Sequence, residues 1–349
     1  MDKPKIAILF GGCSSEYDIS LQSAYSVIAS IDESKYDTVL LGITQSGEWF
    51  RFFGELIKIR EDAWQDSAVC VRAVISPDRE AHGIVEFGAD GVRTVRLDAA
   101  MPVLHGKNGE DGTIQGLLAL AGIPVIGCNT LSSALCMDKD KAHKLAHLAG
   151  VRAPRSYVLS NGYSAAVALS EAEKLGYPLF VKPVKSGSSL GITMVMGKEE
   201  LPEAIALGFT HDDKVLMEEN IAGFEVGCAI LGNDKLVVSG PDEIELVRGF
   251  FDYKEKYDRK TAVIHERARI TAEKAAEIEA AAEVVYRVLD CSGFARVDLF
   301  LTPEGEIVFN EVNTIPGLTT CSRYPNMLKA AGMTFGEVIN TMIDLAVDI

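Results

Sequence analysis

The run Ile6-Ala-Ile-Leu-Phe10, closed by Gly11-Gly12, is the feature that most constrains the fold. Five consecutive apolar residues cannot alternate between core and solvent. Both faces of such a strand must be covered, as in a parallel sheet flanked by helices. A helical pattern follows over 19–31, with Ala24, Val27, Ile28 and Ile31 on one face, and 36–43 predicts the next strand. Strand, helix and strand in this order make a βαβ unit.

Residues 45–98 predict hairpins, and 101–104 predicts a strand that runs into the glycine-rich loop His105-Gly-Lys-Asn-Gly-Glu-Asp-Gly112 and a helix from Thr113. One long helical pattern covers 131–149. After Pro154 the texture shortens, with strands expected at 156–159, 179–182, 192–195 and 214–218 and helices at 165–175 and 201–209. From Phe224 the chain reads mostly as strands, then as a helix over 271–289. Strands at 293–301 and 306–311 flank the turn signal Pro303-Glu-Gly305. A helix from Phe335 closes the chain. Seams near 128 and 218 predict three pieces, 1–128, 129–218 and 219–349; a prior of about 150 residues per domain gives two or three.

Lys and Arg number 34 against 50 Asp and Glu, a net charge of −16. So acidic a surface repels nucleic acid and anionic lipid, so neither is an expected partner. A small anion is still admissible where basic side chains cluster locally. The seven cysteines are odd in number and contain no C-x-x-C, which argues for reduced thiols rather than a disulfide framework or zinc ribbon. The first apolar run is too short for a signal-peptide core, and no stretch reaches the ~18 apolar residues of a membrane span. A cytoplasmic location is expected.

Two segments carry most of the chemistry. In Phe180-Val-Lys-Pro-Val-Lys-Ser-Gly-Ser-Ser-Leu-Gly191 a strand delivers Lys182 to a Ser/Gly loop whose backbone N–H groups can approach phosphate oxygens. It is no Walker loop, and an ordinary Ser/Gly hairpin fits it equally well. In the second, Arg296 and Asp298 share one strand face, and so do Glu311 and Asn313 on the next strand. If the two strands pair antiparallel through the 303–305 turn, three oxygen donors converge beside an arginine. That hard donor set suits Mg²⁺ carried with ATP phosphates.

Weaker signals are Met217-Glu-Glu-Asn220 with Glu225, and the aromatic and charged stretch Gly249-Phe-Phe-Asp-Tyr-Lys-Glu-Lys-Tyr257, which suits a closing loop or a hairpin edge. His143 and His147 have metal-ligand spacing on a helix, but no glutamate lies between them as H-E-x-x-H chemistry requires. A polar helix face is expected there.

The loops beginning at Gly11, Leu104 and Lys182, the segment Asp252-Tyr-Lys-Glu-Lys-Tyr257 and the run Asn310-Glu-Val-Asn-Thr-Ile-Pro-Gly317 occur in one order. In this the chain resembles the D-alanine–D-alanine ligases, which are ATP-grasp enzymes. The likeness runs from residue 5 to the C-terminus. It implies an α/β protein, α+β in its C-terminal part, with an N-terminal Rossmann-like (preATP-grasp) parallel-sheet domain and an ATP-grasp fold behind it. It also implies a homodimer, with ATP and two Mg²⁺, Mn²⁺ being able to substitute.

Carried over position by position, Lys139 and Lys182 resemble phosphate-contacting lysines, Glu218 an adenine-side contact, Glu225 a ribose ligand and Lys256 a γ-phosphate lysine. Asp298, Glu311 and Asn313 match metal ligands. Glu16 matches the residue holding the first substrate's ammonium, with Ser188 and Tyr257 as its partners, and His105 lies near the first D-alanine. Arg296 and the N–H of Gly317 match oxyanion stabilisers, and Ser322 a ligand of the second substrate's carboxylate. Arg323 stands where housekeeping members place Leu or Met, and Phe251 where many place Tyr. With the Lys-Tyr loop ending retained, this looks like the serine-using ligases of the VanG type. D-serine is the expected second substrate and D-alanine the poorer one.

The competing readings are a different ATP-grasp carboxylate–amine ligase, a non-catalytic nucleotide sensor, and an NAD-linked oxidoreductase. The first would lack the Glu16 and His105 loops. The second would tolerate loss of Arg296 or a metal ligand. The third lacks the fingerprint glycines.

Overall fold

The computed structural model describes residues 3–66, 68–187, 190–246 and 262–347. A seven-stranded sheet holds β1 (Lys5–Gly11), β2 (Asp37–Ile43), β3 (Trp49–Phe52), β4 (Cys70–Ile75), β5 (Gly83–Gly88), β6 (Gly91–Arg96) and β7 (Ala99–Pro102), in the order β6-β5-β4-β3-β2-β1-β7. β1 pairs parallel with β2 and β7, while β2 to β6 form an antiparallel meander. The sheet is therefore mixed, and parallel only around the strand that the opening apolar run predicted. Ile6 to Phe10 are all fully buried.

Helices α1 (Tyr17–Ile28), α2 (Ile57–Arg60) and α3 (Thr113–Ala121) complete this part. Ala7 and Leu9 face α3 on one side of β1, and Ile6, Ile8 and Phe10 face α1 on the other.

The expected helix over 131–149 is two helices, α4 (Thr130–Met137) and α5 (Lys139–Leu148). Asp138 breaks it with ψ 96, and its carboxylate accepts from the Lys141 N–H at 3.0 Å as the N-cap of α5. An apolar periodicity running through both helices hides a one-residue break. The break starts α5 at Lys139.

A four-stranded sheet follows, built from β8 (Ser156–Ser160), β9 (Leu179–Pro183), β10 (Thr193–Val195) and β11 (Lys214–Glu219) in the order β10-β9-β11-β8. It is covered by α6 (Ala165–Leu175) and α7 (Leu201–Phe209). The third sheet joins β12 (Phe224–Gly232), β13 (Leu236–Val238), β14 (Asp242–Leu246), β15 (Ala262–His265), β16 (Phe294–Leu301) and β17 (Ile307–Asn313). Its order is β15-β14-β12-β16-β17, with β13 beside β12. Helix α8 (Ala272–Val288) buries Ile278, Ala282, Val285 and Tyr286 against it.

Two helices end the chain, α9 (Arg323–Ala330) and α10 (Phe335–Val347). The sequence pattern signalled only α10. Pro325 lies within the first turn of α9, where a missing N–H costs nothing, so this proline does not break the helix. Val338, Ile339, Met342 and Ile343 of α10 join the apolar cluster of Ile6, Ile8 and Phe10. Asn340 accepts from the Asp32 N–H at 2.9 Å, and Tyr36 bonds Asp344. The C-terminal helix thus braces the first sheet against the third. No helix among the described residues is long and apolar enough to cross a membrane.

Candidate active site

A cleft of about 680 Å³ lies where loops of the first sheet, the α4–α5 break, the loop after β9 and the end of β17 meet. Of the residues singled out from sequence, Glu16, His105, Lys139, Arg296, Glu311, Asn313, Gly317, Ser322 and Arg323 line it. Ser188, Phe251, Lys256 and Tyr257 lie outside the described residues.

β16 and β17 do pair antiparallel through the 303–305 turn, with Arg296 opposite Asn313 and Asp298 opposite Glu311. Arg296 grips the Asp298 carboxylate with Nε at 2.8 Å and Nη2 at 2.7 Å, and the Asn313 amide donates to it at 2.9 Å. After Asp298 the register slips, so that Leu299 faces Phe309 and Asn310 has no partner on β16. Such a bulge bends the strand and re-aims the side chains beside it. Among the described residues, no cluster of three or more His, Cys, Asp or Glu is placed to hold a metal. Asp298, Glu311 and the Asn313 amide oxygen are nonetheless hard donors at one sheet end, and they fit a divalent cation chemically.

Arg323, in the first turn of α9, reaches down to the same sheet. Its Nε and Nη2 clamp Asp242 at 2.8 Å each, Nη1 meets Glu225 at 2.7 Å, and Asp298 lies 3.4 Å away. Gly227 makes the space: a Cβ there would lie 2.7 Å from both Arg323 Nη2 and Asp298 Oδ1. Burial works against the guanidinium's charge, but Asp242, Asp298 and Glu225 outweigh it and hold the pKa well above the ordinary arginine value. Burial is likewise the largest influence on Arg296, and Asp298 more than offsets it. Asp242 carried no sequence signal. Its weight comes from β14 lying beside β12, a pairing distant in sequence.

At the α4–α5 break, Lys139 donates to the Ser186 carbonyl at 2.7 Å and lies 4.0 Å from Glu311. Lys182 and Glu218 are nearly buried and pair at 2.6 Å, diagonally across β9 and β11. His143 is not on a polar face. It is 3% exposed and points inward from α5, while His147 is exposed, so the two do not form a metal pair.

The first-sheet wall is built differently. His105 is buried, its Nδ1 2.9 Å from the Ile315 carbonyl and its Nε2 3.1 Å from Ser23 Oγ. Burial lowers its pKa and outweighs the opposing pull of Glu16, so the ring is neutral at pH 7. Glu16 lies over Gly106, where a Cβ would come within 2.7 Å of its carboxylate. Glu110 accepts from the Gly106 N–H at 2.7 Å and the Ile315 N–H at 3.2 Å, tying the first-sheet loop to the loop after β17. Burial and then the charge of Glu16 push its pKa up to about 8. Its place in the Gly-Glu-Asp-Gly run was the signal that could have found it. Ser322 Oγ bonds Thr319 Oγ1 at 2.8 Å beneath Gly317.

Family models for the D-ala D-ala ligase N-terminus and C-terminus match residues 5–128 and 156–344. The chain belongs to the D-Ala–D-Ala ligase family. It is therefore an ATP-dependent ligase acting on D-alanine with a divalent metal, and its mixed sheets are those of the ATP-grasp structures of this family.

Similarity within the D-Ala–D-Ala ligases crosses acceptor classes. The "Vancomycin B-type resistance protein VanB" of Enterococcus faecalis is 45% identical, covering all of both chains. A D-alanine–D-alanine ligase of Caldicellulosiruptor bescii is 41% identical over 100% of this chain and 96% of its own. The crystal structure of the VanG D-Ala:D-Ser ligase from Enterococcus faecalis superposes with a TM-score of 0.93 at 53% identity, covering 99% of this chain and 100% of that one.

Proposed function

We propose that the protein joins D-alanine to D-serine, with D-alanine as a poorer second substrate, in the synthesis of peptidoglycan precursors and in the service of vancomycin resistance. The observation that carries the acceptor choice is Arg323, which α9 delivers to the Asp242 carboxylate at one end of the cleft. A guanidinium–carboxylate pair there offers a donor and an acceptor to a substrate hydroxyl, which Leu or Met cannot. Phe251, standing where many relatives place Tyr, belongs to the same proposal.

The D-alanine carboxylate attacks the γ-phosphorus of ATP and ADP leaves, giving D-alanyl phosphate. The amine of the second amino acid then attacks the acyl carbon, loses a proton, and phosphate departs. Glu16, with Ser188 and Tyr257, holds the first ammonium group, and neutral His105 lies beside it. Lys139, Lys182 and Lys256 meet the phosphates, Glu218 the base and Glu225 the ribose. Arg296 and the Gly317 N–H stabilise the tetrahedral oxyanion, and Ser322 binds the acceptor carboxylate. Two Mg²⁺, replaceable by Mn²⁺, would be held by Asp298, Glu311 and Asn313 and would supply charge neutralisation at the phosphates. Water must be kept from the acyl phosphate, the task assigned to the 249–257 loop.

Three domains, 1–128, 129–218 and 219–349, a homodimer joined through the first, and a cytoplasmic location complete the proposal. Phosphate release from ATP with D-alanine plus D-serine, or D-alanine alone, tests it. A higher kcat/KM for D-serine is expected. Equal or better use of D-alanine favours the housekeeping D-alanine–D-alanine reaction instead.

A further inference from the structure

The spacing from His147 suits a polar helix face, yet His143 is buried beside the cleft, 3% exposed. Its Nε2 lies 2.8 Å from the carbonyl oxygen of Asn310, the bulge residue that has no partner on β16. A carbonyl only accepts, so Nε2 carries the hydrogen and donates it. Burial pushes the pKa of the ring down, and Lys182 and Lys139 oppose the upward pull of Glu218, which leaves the ring neutral. Nδ1 then presents a bare lone pair.

That lone pair faces Glu218 Oε2 at 3.6 Å, beyond hydrogen-bond distance. Neither atom has a hydrogen-bond partner among the described residues, and both residues are at most 3% exposed. The approach of Nδ1 to Glu218 therefore adds no hydrogen bond, and the bond from Nε2 to Asn310 is what fixes the ring. Phe309 packs edge-on against the imidazole at 5.6 Å, so the ring cannot swing away without losing that contact.

We propose that His143 is a positioning residue of the nucleotide site: by donating to the Asn310 carbonyl it holds the bulge, and so the aim of Glu311. This rests on reading the cleft as an ATP site. The bulge carbonyl lies one residue before Glu311, so the imidazole links three elements of the site, α5, β11 and β17.

The test uses the full chain with His143→Leu and His143→Gln, each first checked for a wild-type-like thermal midpoint. Affinity for the Mg²⁺ complex of a non-hydrolysable ATP analogue is read by calorimetry. The Leu variant is expected to bind about tenfold more weakly, the order for a buried acceptor losing its donor. The Gln variant, whose amide keeps one donor and one acceptor, recovers most of that loss.

A folded Leu variant that binds the analogue as the wild type does, or a Gln variant as weak as Leu, overturns the proposal. A wild-type protein that binds nucleotide but releases no phosphate with D-alanine counts against the ligase reading alone. Failure of the wild type to bind nucleotide overturns both.

Discussion

The two walls of the cleft solve opposite electrostatic problems. On the third sheet, Asp298, Asp242 and Glu225 are met by Arg296 and Arg323 within 2.7–2.8 Å. On the first sheet, Glu110 is bonded by backbone N–H groups, and its pKa rises to about 8 because burial and the charge of Glu16 oppose its ionisation. His105 is neutral for a related reason. One wall stores paired full charge. The other is closer to neutral and shapes a pocket by directed hydrogen bonds. The pairing on the third sheet has a cost, because removing either partner strands a buried charge.

The contrast breaks most severely at Arg296. Arg296→Met should lower kcat by about 10²–10³-fold, the scale for losing an oxyanion donor, and should leave Asp298 without its clamp. Steady-state kinetics at saturating substrates measures it, and a loss below tenfold would place the oxyanion elsewhere.

Arg323→Met comes next. It should reduce the D-serine to D-alanine ratio of kcat/KM by about 1–3 kcal/mol, as for a lost polar contact, with a smaller change in KM for ATP. If ATP affinity collapses while the ratio holds, Arg323 serves only to neutralise Asp242 and Glu225.

The smallest effect belongs to Glu110. With its folded pKa near 8 and an unfolded value near the ordinary ~4.3, the folded state binds the extra proton between those pH values. Stability from this group is therefore complete below about pH 4 and declines as pH rises to about 8. Thermal midpoints of the wild type and Glu110→Gln, taken from pH 5 to 9, should differ less in the wild type's favour as pH rises. A pH-independent difference would mean that the carboxyl does not titrate in this range.

What the sequence made legible follows the range of the interactions. The β16–β17 hairpin was readable because its turn and alternating polar positions are local, so Arg296, Asp298, Glu311 and Asn313 could be placed on one face before any fold was known. The buried β1 was readable for the same reason. Asp242 was not, because its meeting with Arg323 depends on β14 lying beside β12 and on α9 crossing above them. His143 was misjudged because spacing on a helix does not reveal which face is covered. The bulge at Asn310 that engages it is a tertiary irregularity. Glu110 sat inside a quoted motif, but only the approach of the loop after β17 explains its burial.

All of this bears on one claim, that the charged wall ends in a pocket for a hydroxylated acceptor. Incubating the enzyme with ATP, Mg²⁺, D-alanine and an equal concentration of D-serine, and weighing the dipeptides by mass spectrometry, puts the two acceptors in direct competition. The account predicts that D-alanyl-D-serine is the major product. A mixture dominated by D-alanyl-D-alanine would contradict it.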